Sequence, residues 1–353
     1  MRVGIASGDR ISTNRSPDGK AHWGGAGWAR FGQYLPYLPT EVVIGSLVWH
    51  YDSFKIMTDD EVLMDVDVIL TQRLMHEGLD NHTRMARAAG QIIINDVDDW
   101  YWGLDPNNMA WKSSHPAHNK EENINFYKKI VCASSIITVS TPYLRDRIRQ
   151  WNPKCDIVLV PNTVDTRRFT KHDHTETTTP IVGWVGSTAH RSGDLETLRG
   201  ILAPLSTTTQ ISLQHSGFSL SAPSFAEAVG VDYKQVTNVS ATDPENYPSL
   251  LSMDVGLAPL RDVPFNHAKS DIKLLEYSAS GIPWIASALP SYVALQESFQ
   301  VGRIAKRPKD WIRNLKALRD PKVRADEGDA LYELVKKRDI GVGVEAWSEL
   351  LAL

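Results

Sequence analysis

The chain has 353 residues, with 38 Lys+Arg against 42 Asp+Glu for a formal net charge of -4, and 42% of it is hydrophobic. That balance excludes a disordered or collagen-like chain and disfavours a general nucleic-acid binder, which carries a basic face. At roughly 100–200 residues per domain the length predicts two domains, each able to bury a core.

No run of about 18 apolar residues occurs, so no membrane-spanning helix is expected. The opening MRVGIASGDR meets a glycine and charges before any long apolar stretch, unlike a secretory signal, and a cytoplasmic location is expected. Cys132 and Cys155 have no Cys-x-x-Cys spacing, so neither a disulfide framework nor a cysteine zinc site is expected. Short β-branched runs then alternate with helical stretches along the first half. Strands are expected at 2–6, 41–47, 66–71, 91–96, 135–140 and 156–161, and helices at 28–38, 78–89, 120–133 and 142–150. Near-continuous apolar strands suit a parallel sheet covered on both faces. Thr141 before Pro142 suits an N-cap and first helical position.

The polar stretch 170–180 reads as a linker. A second series follows, with strands at 181–186, 210–215, 253–258 and 283–287 and helices near 194–202, 247–251 and 270–280. The tail 325–353 reads as helix broken near Gly341 and Gly343, with an apolar face at Val344, Trp347, Leu350 and Leu351 that needs cover. The predicted class is α/β: two doubly wound domains facing a cleft, with ligands at the carboxyl ends of the strands.

Four stretches carry candidate chemistry. Gly24, Gly25 and Gly27 precede Trp28 in a loop whose backbone could approach a phosphate or sugar closely, although a flexible glycine turn accounts for it equally well. Asp96, Asp98 and Asp99 stand beside Trp100, Tyr101 and Trp102; carboxylates accept sugar hydroxyls while flat rings cover the apolar faces of a pyranose. Asp96-Val97-Asp98 also has the D-x-D form in which paired carboxylates hold Mg²⁺ or Mn²⁺. Sugar contact by Asp98, Asp99, Trp100 and Trp102 is the preferred reading, with no essential metal; Trp151 is assigned to the core.

Gly186 and Ser187 end a strand, and His190 and Arg191 follow in a loop where a guanidinium could grip a pyrophosphate. If Ser270 caps the next helix, Lys269, Ser270 and Asp271 lie at its positive end, with Ile272, Leu275 and Ala279 on a buried face. Glu276, further along, offers a carboxylate to a ribose diol, Lys273 reads as a surface charge, and Gly281 ends the helix.

Two of these segments resemble a known family. Pro161-Asn162-Thr163-Val164-Asp165 with Arg168-Phe169, and the stretch from Lys269-Ser270 to Ser287, are similar to the "PNGVD..RF" and "KS..K.LEY.A.G.P..AS" motifs of retaining, family-4-like (group 1) GT-B glycosyltransferases, some of them phage-encoded. The likeness runs from about 135 to 287. It implies two Rossmann-like domains, an acceptor domain at 1–172 and a nucleotide-sugar donor domain at 173–335, with the helix 336–353 packing back on the first. It implies transfer of a hexose from a nucleoside diphosphate sugar to a hydroxyl of a glycan or protein, with retention and no obligatory cofactor. By the same likeness Gly186, Ser187, His190, Arg191, Lys269, Ser270, Asp271 and Glu276 hold the donor. Lys269, Glu276, Asp98 and Asp99 act in catalysis, and Gly24, Gly25, Gly27, Trp28, Asp98, Asp99, Trp100 and Trp102 face the acceptor or transferred sugar. Ala268 stands where many members carry a glutamate, and Ser187 where an arginine often stands. A nucleotide-sugar epimerase or hydrolase, or a non-catalytic carbohydrate-binding protein, would share the frame.

Overall fold

The computed structural model describes residues 1–352 apart from 17, 118–123, 175, 189–192, 209, 218–222 and 241–245. It divides into two compact units: unit 1 is Met1–Leu104, Ala110–Asn162 and Ile340–Leu353, and unit 2 is Asp105–Met109 and Thr163–Asp339.

The strands of unit 1 are β1 (Arg2–Ser7), the short β2 (Arg10–Ile11) and β3 (His22–Trp23), β4 (Glu41–His50), β5 (Ser53–Thr58), β6 (Leu63–Asp65), β7 (Val68–Gln72), β8 (Ile92–Val97), β9 (Ile136–Val139) and β10 (Asp156–Leu159). β2 and β3 form an antiparallel ribbon, and the others one sheet in the order β10-β9-β8-β7-β1-β4-β5-β6. Pairing is parallel from β10 to β4 and antiparallel from β4 to β6. The parallel part has the flavodoxin-type order, in which direction switches between the first and third parallel strands, here β1 and β7. Alternate residues feed two cores: Val3, Ile5, Leu70 and Ile94 pack with Phe31, Tyr34 and Trp347, while Ala6, Ile69 and Ile93 pack with Leu79, Ala86 and Ile130.

β5 and β6 were not expected. The turn between β4 and β5 is Tyr51-Asp52, with His50 opposite Ser53, and Tyr51 takes φ 57 without being Gly or Asn. The usual hairpin signal is therefore missing. The helix expected at 28–38 is instead a short turn Gly25–Gly27 that widens into a π-turn at Trp28–Gly32, followed by a 3₁₀ turn Leu35–Tyr37. Gly25, Gly27, Gly32 and Pro36 keep a regular helix from forming there. Thr141 caps Pro142–Trp151, its side chain accepting from the Leu144 amide at 3.3 Å, as read from the sequence.

Unit 2 holds β11 (Ile181–Val185), β12 (Ser212–Gly217), β13 (Val236–Ser240), β14 (Val255–Ala258), β15 (Trp284–Ser287) and β16 (Arg303–Ala305). All pair in parallel, in the order β13-β12-β11-β14-β15-β16. Counted along the chain this is 3-2-1-4-5-6, the doubly wound order of dinucleotide-binding sheets, with the switch between β11 and β14. Val182, Trp184 and Leu257 enter one core with Leu198 and Phe225, and Val185, Ala258 and Trp284 the other with Leu274 and Leu275. β13 (VTNVS) and β16 (RIA) are too polar or too short to stand out in the sequence.

Residues from Thr163 onward pack into unit 2. Val164 bridges to Asp339, whose carboxylate takes the Thr166 amide at 3.0 Å, and the His172 amide donates to the Ser280 carbonyl at 2.7 Å. The tail forms Pro321–Leu334 and Ile340–Leu351, so the break falls at Asp339 and the second helix runs straight through Gly341 and Gly343. Its Trp347, 2% exposed, meets Phe31 with ring centres 5.5 Å apart in unit 1.

Candidate functional site

Both sheets place polar side chains at their switch points. In unit 1 the loop after β1 brings Asp9, the residue after β7 is Arg73, and β8 leads into Asp98 and Asp99. Arg73 Nε donates to Asp98 at 3.0 Å, its Nη2 bonds Asp98 and reaches Asp99 at 2.8 Å, and its Nη1 stands 3.6 Å from Asp9. Arg73 adopts φ 55, a conformation a non-glycine residue holds only when its surroundings fix it. Burial pushes the Asp98 carboxyl up to about 6; Arg73 pulls it down, while Asp99 adds to the rise. Three carboxylates around one guanidinium leave a net negative cluster at the carboxyl ends of these strands, whose oxygens are acceptors for hydroxyl groups.

Asp9 also anchors the glycine loop. The Gly24 amide donates to the Asp9 carbonyl and the Gly27 amide to its carboxylate, both at 2.7 Å. The N–H groups that the sequence offered to a ligand are thus bonded within the protein, while Gly25 is exposed and Trp28 partly so. Asp96, the first acid of the D-x-D tripeptide, is fully buried and paired with Arg30 at 2.8 Å, and Thr138 donates to it at 2.7 Å. It does not converge with Asp98, which goes to Arg73.

Trp100 and Trp102 pack on Trp151, with ring centres at 5.0 and 4.4 Å, and on each other at 5.1 Å. Trp100 is 8% exposed, so the residue expected to offer a ring face to sugar is largely in the core with Trp151. Trp102 stacks on Tyr127 at 6.0 Å and remains partly exposed.

In unit 2 the switch point gathers the end of β11, the loop after β14 and the helix Ile272–Ala279. Gly186 follows β11 with φ 144, and its neighbour at the end of β12, Gly217, has φ 145. A Cβ on Gly217 would stand 2.1 Å from the Gly186 carbonyl oxygen, so two strand ends approach more closely than any other residue permits. His215, 2% exposed and stacked on Trp184, donates from Nε2 to that carbonyl at 3.0 Å; burial holds it below the usual histidine range. Ser187 is partly exposed beyond Gly186, and His190 and Arg191 lie outside the described residues.

The helix begins one residue later than expected. Asp271, not Ser270, occupies the N-cap position, and no side chain caps it, because the Asp271 carboxylate is drawn to Arg338 at 2.9 and 3.1 Å. Lys269 and Ser270 precede it, partly exposed, with Lys269 Nζ 4.3 Å from the Phe265 ring centre. Gly281 ends the helix at φ 64, its amide reaching the Ser278 carbonyl and the Ile282 amide that of Tyr277, the paired bonds of a Schellman cap.

Lys273, read as a surface charge, turns inward. Its Nζ donates to the Val185 carbonyl at the end of β11, lies 5.6 Å from the Trp184 ring centre, and would be 3.7 Å from a Cβ on Gly186. Glu276, three residues on, is partly exposed, and burial pushes its carboxyl up to about 7 against the pull of Lys273, a Tyr247 hydrogen bond and Arg168. The structure thus brings Gly186, Lys273 and Glu276 to one end of the sheet. Such a set can bind an anion at the lysine and hydroxyl groups at the carboxylate. Asp9, Arg73, Lys273, His215 and Tyr247 were not singled out from the sequence. The available signals were Asp9 two residues past the first strand and Lys273 one helical turn before Glu276.

No family model matches the chain, and no curated protein is found similar to it. Solved structures do resemble it. Sucrose-phosphate synthase (tll1590) from Thermosynechococcus elongatus superposes with a TM-score of 0.65 at 15% identity, covering 99% of this chain and 98% of that one. Anabaena Alr3699/HepE in complex with UDP and glucose gives 0.66 at 10% identity, covering 99% of both chains. An α,α-trehalose-phosphate synthase (UDP-forming) from Burkholderia xenovorans, in complex with glucose-6-phosphate, gives 0.52 at 12% identity over 80% of this chain and 72% of that one. At such identities the likeness is one of fold: the chain has the GT-B fold, with two Rossmann-like units.

Proposed function

We propose that this protein is a glycosyltransferase that moves a hexose from a nucleoside diphosphate sugar to a hydroxyl of a glycan or protein acceptor, with retention of anomeric configuration. The observation that carries the reading is the placing of Lys273 and Glu276 one helical turn apart, with Lys273 Nζ on the Val185 carbonyl beside the Gly186 turn, at the switch point of a 3-2-1-4-5-6 sheet. UDP is the first donor to try, because HepE is in complex with UDP and glucose and the trehalose-phosphate synthase is UDP-forming.

On this reading Lys273 leaves the Val185 carbonyl to meet the diphosphate, and Glu276 accepts from the ribose hydroxyls. Lys269, Ser270 and the start of the helix add positive potential to the leaving group, Asp271 through its backbone alone, with Gly186 and Ser187 at the same end of the sheet; His190 and Arg191, outside the described residues, are assigned to the donor by the family resemblance alone. The bond from the sugar's anomeric carbon to the diphosphate oxygen breaks with both electrons passing to phosphate. The acceptor oxygen bonds to that carbon from the same face and its proton goes to the departing phosphate oxygen, so no protein nucleophile or metal is required. The lysine's contribution is to stabilise charge that grows as the bond breaks. In unit 1, Asp98 and Asp99 accept from acceptor or sugar hydroxyls, with Gly25, Trp28 and Trp102, which keep some exposure, on that side.

The test is a thermal-shift and calorimetric screen of UDP-, GDP-, dTDP- and ADP-sugars on the chain and on Lys273→Ala. A donor at about 100 times its dissociation constant adds about 2.7 kcal/mol of stability. Loss of a charge-assisted contact worth about 1.5–3 kcal/mol weakens binding by roughly 10–100-fold. Equal donor affinity in the variant, or no stabilisation by any sugar nucleotide, would overturn the reading.

A further inference from the structure

Among the described residues one group of metal-ligating side chains stands apart from both switch points: His172, His174 and Asp254, all in unit 2. A ring nitrogen of each histidine and a carboxylate oxygen of Asp254 lie within 4.8 Å of one another. The histidines are two residues apart in the polar stretch that follows Phe169, and their ring centres are 5.2 Å apart. Asp254, 2% exposed, comes immediately before β14; its Oδ2 accepts from the Ile181 amide at 2.7 Å and its Oδ1 meets His172 Nε2 at 3.1 Å.

His174 is the informative residue. Its Nε2 donates to the Gly281 carbonyl at 2.9 Å, while its Nδ1 is buried and has no hydrogen-bond partner among the described residues. That is the arrangement of a metal-bound imidazole, in which a backbone carbonyl holds one N–H and so leaves the lone pair on the other nitrogen. A buried polar atom with no partner costs about 1–3 kcal/mol, and a cation would remove that cost. Gly328 packs close to the ring: a Cβ there would stand 2.2 Å from His174 Nε2. One cation also faces the group. Arg324 is fully buried, but its Nη1 and Nη2 are bonded to the carbonyls of Leu318 and Arg319 at 2.9 Å and of Thr177 at 2.7 Å.

We propose that His172, His174 and Asp254 form a site for a divalent transition metal of the Zn²⁺ class, which fastens the segment after Phe169 to the foot of β14. Two imidazoles and a carboxylate are a donor set that suits Zn²⁺, and water completes the tetrahedron. With bonds of about 2.0–2.2 Å, tetrahedral ligand atoms stand about 3.3 Å apart, so the ligands close by about 1.5 Å at most. The metal takes the place of the His172–Asp254 hydrogen bond, and His172 then carries its proton on Nδ1. The site binds independently of any sugar nucleotide.

The full chain, stripped with a chelator, is titrated with Zn²⁺ by calorimetry and with Co²⁺ by visible absorption, alongside His172→Ala, His174→Ala and a remote control, His22→Ala. The expected result is one Zn²⁺ per chain, a raised melting temperature, and the intense visible bands of tetrahedral Co²⁺. His22→Ala keeps all three. Each ligand variant loses more affinity than the roughly 10–100-fold that follows removal of a group merely hydrogen-bonded to a ligand, and loses the bands. Should His174→Ala fail to fold, the His172→Ala titration decides alone. Zn²⁺ binding or Co²⁺ bands that survive in His172→Ala, or their absence from the unaltered chain, would overturn the proposal.

Discussion

Replacing Glu276 by glutamine should stabilise the protein at alkaline pH while weakening the donor site that we propose. The carboxyl is pushed from the ordinary 4.5 of a glutamate up to about 7, chiefly by burial. The folded chain therefore holds a proton across that window which the unfolded chain has already released. Stability falls as pH rises from about 4.5 through about 7, the direction opposite to that of a salt-bridged carboxylate. At about 1.4 kcal/mol per tenfold change in the proton equilibrium, the full rise corresponds to about 3 kcal/mol. The side chain is partly exposed and water screens some of this, so about 1–2 kcal/mol is expected. Glutamine keeps an acceptor for Tyr247 and carries no charge to desolvate. For a unit of this size the gain is about 2–6 °C in melting temperature at pH about 8.5, shrinking to nothing near pH 5. Scanning calorimetry of both proteins at the two pH values reads it, and UDP-sugar titration on the same samples reads the loss of binding. A difference in melting temperature that is the same at both pH values, or of opposite sign at high pH, would refute the reasoning.

Gly217→Ala should cost about 2–4 kcal/mol, measured as a fall in denaturant midpoint, because the methyl group enters the space of the Gly186 carbonyl and forces a φ of 145 on a residue with a Cβ. A variant as stable as the parent would show that the two strand ends can part without loss. Arg73→Ala leaves Asp9, Asp98 and Asp99 facing each other without their cation. Asp98, already at about 6, then rises further, and the variant should be destabilised by about 2–4 kcal/mol at pH about 8 but much less near pH 5, where the carboxyl is protonated. Urea melts at the two pH values check this, and equal losses would count against it.

The parallel core was legible because buried strands leave apolar runs, and Thr141-Pro142 and Gly281 marked helix ends through chemistry local to the chain. The antiparallel β5 and β6 were not, since Tyr51 supplies a left-handed turn that its neighbours over-determine. The site was half legible. Glu276 could be placed by helix position, but Lys273 looked like a solvent-facing charge because its partners, Val185 and Trp184, come from a strand about ninety residues earlier. Asp9, Arg73 and Asp98 are adjacent only because β1, β7 and β8 lie side by side. Trp100 looked like a sugar platform next to acids, and nothing in its own neighbourhood announced that Trp151 would cover it.

Arg30 ties together stretches of unit 1 that are made at very different times. Its guanidinium holds Asp96 on β8, donates to the Val160 carbonyl at 2.6 Å and to the Asn162 side chain at 2.8 Å, and lies 5.6 Å from the Trp347 ring centre. Its burial is completed by a helix that begins at Ile340, long after the chain has left unit 1 at Asn162. During synthesis at about 5–20 residues per second, the intervening stretch takes roughly 10–35 s to appear. Through that interval the first unit lacks the helix that covers Phe31, Tyr34 and the arginine, so its closure awaits synthesis of Ile340–Leu351, and unit 2 is free to fold before it.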